Sequence, residues 1–184
     1  MKITVIGRGH VGGGLADLWE QSGHEVDRIG HEGGDASGAD AVLMAMPGEA
    51  VAEALDRVEG LQGKVAMDAT NLIGDEHPPV GYGSNAEFIK SKLGGPTAKS
   101  FNINFADLYG QLKDAPNPPG DFWCGDEDAR ETVEQLHRDA GYEPIYTGSL
   151  ENAAMLEATV PLLFAISQGG MGECLYRAAP PDQL

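Results

Sequence analysis

The order of apolar and polar positions divides the chain into short strands and longer helical stretches. Ile3-Thr4-Val5-Ile6 is a β-branched run that stops at Gly7, which reads as a buried strand. Val11, Leu15, Leu18 and Trp19 then recur at helical spacing, so a helix is expected over 11–22, closed by Gly23. A second strand follows over 25–29. The near-continuous apolar run 41–46 has the pattern of a parallel strand covered on both faces, and Pro47 ends it. The pattern predicts a helix over 49–58 and a buried strand over 64–68. Ser84 is placed to cap a helix over 85–93, with Glu87 as its capping-box partner. Strands are expected over 97–101, 121–124 and 142–146, with helices over 104–112 and 127–140. From Ser149 a long helical pattern runs to about Ala178, kinked or divided by Pro161.

Alternating strands and helices predict a mostly parallel sheet with helices on both faces, an α/β, Rossmann-like, doubly wound fold. One piece of that fold is short. The stretch 31–40 is Gly-rich and has no room for a helix and a strand, so the second crossover is expected to be trimmed. The spacing places a dinucleotide-binding unit over 1–148 and a C-terminal helical segment over 149–184, packed on it as one compact body.

Gly7-Arg8-Gly9-His10-Val11-Gly12 fits G-x-G-x-x-G, set between the first strand and the first helix, which is the context the motif needs. Gly7 makes the tight turn, Gly9 lets a pyrophosphate approach the backbone, and Gly12 lets helix and strand pack closely. The first N–H groups of the helix and its dipole then face the phosphates. Arg8 and His10 are the nearby side chains able to donate to phosphate. In such sheets ligands lie beyond the carboxyl ends of the strands. That directs attention to Gly7–Gly12, Gly30-His31-Glu32, Met46-Pro47, Asn71 and Asn102-Ile103-Asn104.

Charge narrows the partners. The 184 residues include 29 acidic and 12 basic side chains, a formal net charge of −17. Nucleic acid and anionic membranes are therefore not expected partners. The acidic excess is spread along the chain, as on a solvated surface; a high-salt habitat and an ordinary acidic cytosolic protein both account for it. The N-terminus reads as a strand rather than a leader, and the apolar runs 41–46 and 158–166 are shorter than a bilayer span, so a cytoplasmic protein is expected. The two cysteines, Cys124 and Cys174, have apolar neighbours and no metal-site spacing, and read as buried free thiols.

Two candidates compete beside the adenosine. Glu32 after the second strand favours the ribose 2′-OH of NAD, while His31 with Arg8 favours the 2′-phosphate of NADP. Asp27 lies at the motif's usual distance but within the strand. The five histidines are scattered, and His137 reads as solvent-facing on a surface helix. No nucleophile or metal motif occurs. Hydride transfer between two bound rings depends on positioning more than on a protein acid or base. The polar strand ends at Asp68-Ala69-Thr70-Asn71 and Lys99–Asn104 also suit loops that satisfy their own backbone.

Taken together, four stretches resemble the F420-dependent NADP oxidoreductases: 3–12 with Gly23-His24-Glu25-Val26; 39–47; Asp68–Asn71 with Lys99–Asn102; and Cys124-Gly125-Asp126 with 148–153. The segment carrying Pro161-Leu162-Leu163 and Gly170-Met171-Gly172-Glu173 is similar to the C-terminus of that family. The resemblance covers almost the whole chain. It implies hydride transfer between NADP(H) and the deazaflavin coenzyme F420, or a flavin-like acceptor. It implies further that Met46 and Pro47 line the nicotinamide side, and that Asn71, Asn102, Ile103 and Asn104 lie where the two rings meet. The segment near Met171 would close the pocket or touch a partner subunit in a homodimer. The chain departs from the family where Gly30-His31-Glu32 replaces the Ser/Thr and Arg that grip the 2′-phosphate, and where Asn71-Leu72 replaces Asn-Pro. The anionic tail of F420 would need basic residues such as Arg8 and Lys99 gathered together. The same fold resembles pyrroline-5-carboxylate reductases and flavin-using metalloreductase domains. An imine or ketone reductase, with Tyr82, Tyr109 or Lys99 as proton donor, is one alternative. A nucleotide-binding sensor or scaffold without turnover is another.

Overall fold

Strand β1 (Lys2–Ile6) lies inside the sheet, and its residues Ile3 to Ile6 are all buried. The computed structural model describes residues 1–183. After α1 (His10–Gln21) comes β2 (Glu25–Ile29), which pairs with β1 in parallel, Ile3 opposite Val26. The chain then passes through a two-residue strand, β3 (Gly34–Asp35), to β4 (Ala41–Met44) on the other side of β1. The remaining elements are α2 (Val51–Arg57), β5 (Val58–Glu59), β6 (Val65–Asp68), α3 (Asn85–Leu93), β7 (Thr97–Lys99), β8 (Gly120–Gly125), α4 (Arg130–Ala140) and β9 (Glu143–Tyr146). Seven strands form one sheet in the order β2-β1-β4-β6-β7-β8-β9, parallel except between β7 and β8.

The second crossover is trimmed as the spacing predicts. No helix joins β2 to β4; instead β3 pairs with β5 in a separate parallel ribbon. Gly33 (φ +81°) permits this, because a Cβ there would lie 2.3 Å from the Arg57 carbonyl oxygen. β2 is thus an outer strand, and the sheet changes direction between β1 and β4, where such folds bind ligands.

Two apolar layers cover the sheet. On one face Leu15 and Trp19 of α1 meet Val133 and Leu136 of α4 over Ile3, Val5 and Leu43. On the other, Val51, Phe88 and Ile89 from α2 and α3 cover Val42, Met44 and Ala66. Alternation along β4 thus sends Leu43 one way and Val42 and Met44 the other. Burial of side chains this size stabilises the fold by about 1.5–3 kcal/mol each. The Trp19 Nε1–H donates to the Leu136 carbonyl at 2.8 Å and ties α1 to α4. The segment expected as a helix over 104–112 is a 3-10 helix, Ala106–Asp114, and its Tyr109 packs on Gly14, where a Cβ would come within 2.4 Å. Ser84 caps α3 by accepting from Glu87 N at 3.2 Å, while the Glu87 carboxylate takes the Gly83 N–H at 2.7 Å.

Three sequence expectations need correction. His137 is not solvent-facing: it is fully buried, on the stripe Val133–Leu136–His137–Ala140 that α4 turns to the sheet. The helical run does not reach Ala178. It proceeds through Leu150–Asn152, α5 (Ala153–Glu157), α6 (Val160–Ile166) and the π-turn Ser167–Met171, within which Gly170 (φ +111°) breaks the helical backbone ahead of Gly172 (φ +75°). Pro161 falls in the first turn of α6, where a missing N–H costs little, and so marks the division from α5. Residues 172–180 return as a strap along β8. Gly120 N donates to the Tyr176 carbonyl at 2.7 Å, and the Tyr176 ring stacks on Phe122. The helical run Leu150–Met171, 22 residues, is also longer than its apolar run implies, and is long and apolar enough by length and composition to cross a membrane. Leu150, Ala153 and Leu156 seat its first half on Cys124 and Ala86.

Candidate dinucleotide site

The three glycines after β1 do three different jobs. Gly7 (φ +109°) turns the chain where a Cβ would meet the Ala45 carbonyl oxygen at 2.1 Å. A Cβ on Gly12 would meet the Gly7 oxygen at 2.1 Å, so helix and turn could not close. Gly9 is different: nothing lies within 4 Å of where its Cβ would be. The open side of the loop is therefore at Gly9, beside the start of α1. That helix has no side-chain cap and no acidic residue in its first turn, so its first N–H groups are available to an anion. The residues present fit a pyrophosphate.

A cavity flanks the loop on each side. The first, about 360 Å³, is lined by Gly7, Arg8, Gly9, Gly30, His31, Met46, Pro47 and residues of α2, including Arg57. The second, about 260 Å³, is lined by His10, Val11, Asn71, Phe101–Phe105, Asp107, Leu163, Phe164 and Glu173. Gly12 packs beneath the loop between them. Met46 and Pro47 line the first cavity with Gly30 and His31, because β4 ends beside β1.

Around the first cavity the polar groups are exposed and paired. Arg8 forms an ion pair with Glu32 and donates from Nε to the Arg28 carbonyl at 3.3 Å. Arg8 thus reaches toward the end of β2. Arg57 Nη1 donates to the His31 carbonyl at 2.8 Å and its guanidinium pairs with Glu53. The Glu32 carboxyl is held below its usual range by its own backbone N–H and by Arg8. Asp27 stays in β2 and pairs with Lys2 at 3.3 Å.

The second cavity rests on a buried polar frame. The side chains of Asn71 and Asn102 pair: Asn102 Nδ2 donates to Asn71 Oδ1 at 2.9 Å, and Asn71 Nδ2 to the Asn102 carbonyl at 2.8 Å. Asn102 Oδ1 is buried and lacks a partner among the described residues. Asn104 lines the cavity but gives its Nδ2–H to Asp121 at 2.7 Å. Phe101, just before these residues, is left-handed at φ +59°, an arrangement that costs a non-glycine residue about 1–3 kcal/mol. Its N–H donates to Asp121 at 3.1 Å, and its ring stacks on His137 with centroids 4.1 Å apart. His137 Nε2 stands 2.9 Å from Asp121 Oδ2, and Nδ1 2.7 Å from the Val133 carbonyl. Asp121 therefore holds the turn that presents Asn102 and Asn104.

Lys99 occupies a second buried cluster and is not available to a ligand. Its Nζ lies 2.9 Å from Asp68 and 2.7 Å from Glu157, and it also donates to the Thr70 carbonyl. It therefore cannot join Arg8 in a basic patch. The other two proton donors named from sequence stand away from this cavity: the Tyr109 hydroxyl is buried, which pushes its pKa up, the Tyr82 hydroxyl accepts from Ser91, and neither tyrosine lines the second cavity. Burial, only partly offset by the Lys99 ammonium, pushes the Cys124 thiol up to about 12. Met171 is exposed and outside the second cavity, where Glu173 of the strap stands instead. His10 faces Asp107 at 3.5 Å on the same rim.

Sheet order, glycine turn and switch point define a Rossmann-like α/β fold. Comparison with solved structures agrees. A proposed F420-dependent NADP-reductase from Arthrobacter sp. FB24 superposes with a TM-score of 0.80 and 23% identity over 98% of this chain and 100% of that one. A protein from Sinorhizobium meliloti follows at 0.68 and 21% identity, over 97% and 94%. An imine reductase from Myxococcus stipitatus, solved with NAD+, gives 0.65 and 16% identity, over 92% of this chain and 62% of that one. No protein-family model and no curated protein matches the sequence.

Proposed function

We propose that this chain is an NADP-dependent oxidoreductase that moves a hydride between nicotinamide and a flavin-like acceptor, coenzyme F420 being the first candidate. The observation that carries the reading is the pair of cavities on either side of an open Gly9, one suited to the adenosine half and one to the nicotinamide with a second ring. The names of the neighbours, NADP-reductase and imine reductase among them, support it. Bound NADPH would supply the hydride. The protein's share is to hold the pyrophosphate on the first turn of α1 and to present Asn71, Asn102 and Asn104 to the rings.

A second reading, imine reduction, is favoured by the imine reductases among the neighbours and by His10 and Asp107, titratable groups on the rim of the second cavity. Stopped-flow mixing with NADPH and F420 tests the first reading: bleaching of the deazaflavin absorbance is expected. NADPH consumption with a cyclic imine and none with F420 would select the second. Cofactor binding with no turnover on either would leave a sensor or scaffold.

The proposed form is a homodimer through α6. Val160–Ile166 has no buried residue, and Leu162, Phe164 and Met171 are exposed. Residues 158–172 carry no charge, so two copies can meet here without placing like charges in contact. Light scattering should give a dimer mass at micromolar concentration and a monomer mass for Phe164→Glu; a monomeric native protein would remove the proposal.

A further inference from the structure

The second crossover is missing, and with it the helix whose start ordinarily supports the adenosine ribose. The ribbon β3-β5 fills part of that space and fixes Arg57 there. The Arg57 carbonyl lies against Gly33, its side chain turns back to the His31 carbonyl at 2.8 Å, and β5 begins at the next residue. Arg57 therefore reaches the loop that follows β2 from the opposite wall of the first cavity. Arg8 reaches the same loop from the glycine turn, and the His31 side chain stands there almost fully exposed.

We infer that Arg57, with Arg8 and His31, forms a clamp for the 2′-phosphate of NADP, assembled from α2 in place of the residues that the trimmed crossover cannot supply. This rests on the NADP reading above. Three observations carry it. The two guanidinium groups converge on the end of β2, where a 2′-substituent on the ribose falls in this fold. Each guanidinium has more donors than its present acceptors use: Arg57 serves the His31 carbonyl and Glu53, and Arg8 serves the Arg28 carbonyl and Glu32. The carboxylate partners are solvent-exposed, so exchanging them for a phosphate costs little. Glu32 has the opposite effect. Its carboxylate sits over Gly30, where a Cβ would meet it at 2.5 Å, and it repels a phosphate while suiting a ribose hydroxyl. The preference is thus set by Arg57 against Glu32.

The test is calorimetric titration of the full chain with NADPH, NADH, 2′-phospho-ADP-ribose and ADP-ribose. Arg57→Ala should weaken the two 2′-phosphorylated ligands by about 10- to 100-fold and leave the other two within about twofold, the size of one or two charge-assisted hydrogen bonds. Arg57→Lys should recover part of the loss. Glu32→Gln should tighten the phosphorylated pair and weaken NADH. Equal loss of all four ligands in Arg57→Ala, or no loss of any, would overturn the clamp while leaving a dinucleotide site. Failure of the native protein to bind any of the four would instead overturn the reading on which the clamp rests.

Discussion

The two halves of the site are made in different ways. Around the first cavity the charged groups are exposed arginine–glutamate pairs on loops and on a seven-residue helix. Beneath the second cavity they are buried: Asp121, which accepts from the Phe101 N–H and from Asn104, and Lys99 with Asp68 and Glu157. An exposed pair is worth about 0–1 kcal/mol because water already solvates both partners. Removing one member of a buried pair leaves an uncompensated charge and costs about 3–5 kcal/mol. The rim of the first cavity can therefore exchange partners when a ligand arrives. The floor of the second is set in advance, down to a strained Phe101 that Asp121 and His137 hold in place. Geometry that must place two rings face to face benefits from a fixed frame, and recognition of a phosphate does not need one.

The contrast can be broken most sharply in the buried frame. Lys99→Met strands Asp68 and Glu157 and should lose about 3–5 kcal/mol in urea unfolding. Asp121→Ala takes the acceptor from the Phe101 N–H and from Asn104 and should lose about 1–3 kcal/mol for each group left unpaired. A loss below about 1 kcal/mol in both would show the frame to be dispensable. At the exposed end the effect should be much smaller. Arg8→Ala is expected to move Tm by no more than about 2 °C. Acidification reads the same exposed class. Hydrogen bonds from Arg28 and Arg130 hold the Glu20 and Glu127 carboxyls below their ordinary 4.5. Their contribution is therefore complete above that value and is lost as pH falls through and below it. A shallow decline in Tm across that range is expected, and a steep one would place buried groups in control.

Much of the frame was legible before any coordinates. The strand–glycine–helix order located the loop, Ser84 located the start of α3, and the shortness of 31–40 revealed the missing crossover. These are local signals, carried by spacing and by the residue types that turns and caps require. The strand ends pointed to Asn71 and Asn102–Asn104, the resemblance gave them a role at the rings, and the structure brings them to one cavity. What escaped depends on contacts distant in sequence. Nothing near Lys99 indicates that Glu157 will meet it, and nothing near Arg57 indicates that β3 will draw it beside His31. His137 is an exception, because it falls in register with Val133, Leu136 and Ala140, and helical spacing alone put it on the buried stripe. Reading it as a surface residue gave its polarity more weight than its position.

The trimmed crossover has one more consequence. It leaves β2 as the rim of the sheet, with no strand beyond it among the described residues. A bare rim is a template on which another molecule's strand can grow. β2 has the sequence Glu-Val-Asp-Arg-Ile, with Glu25 and Asp27 exposed beside Lys2 and Arg28 bound to Glu20 and Asp17. A flat apolar strand there would invite aggregation. The charges on β2 let the chain leave out a βα unit and still keep its sheet from extending into the next molecule's.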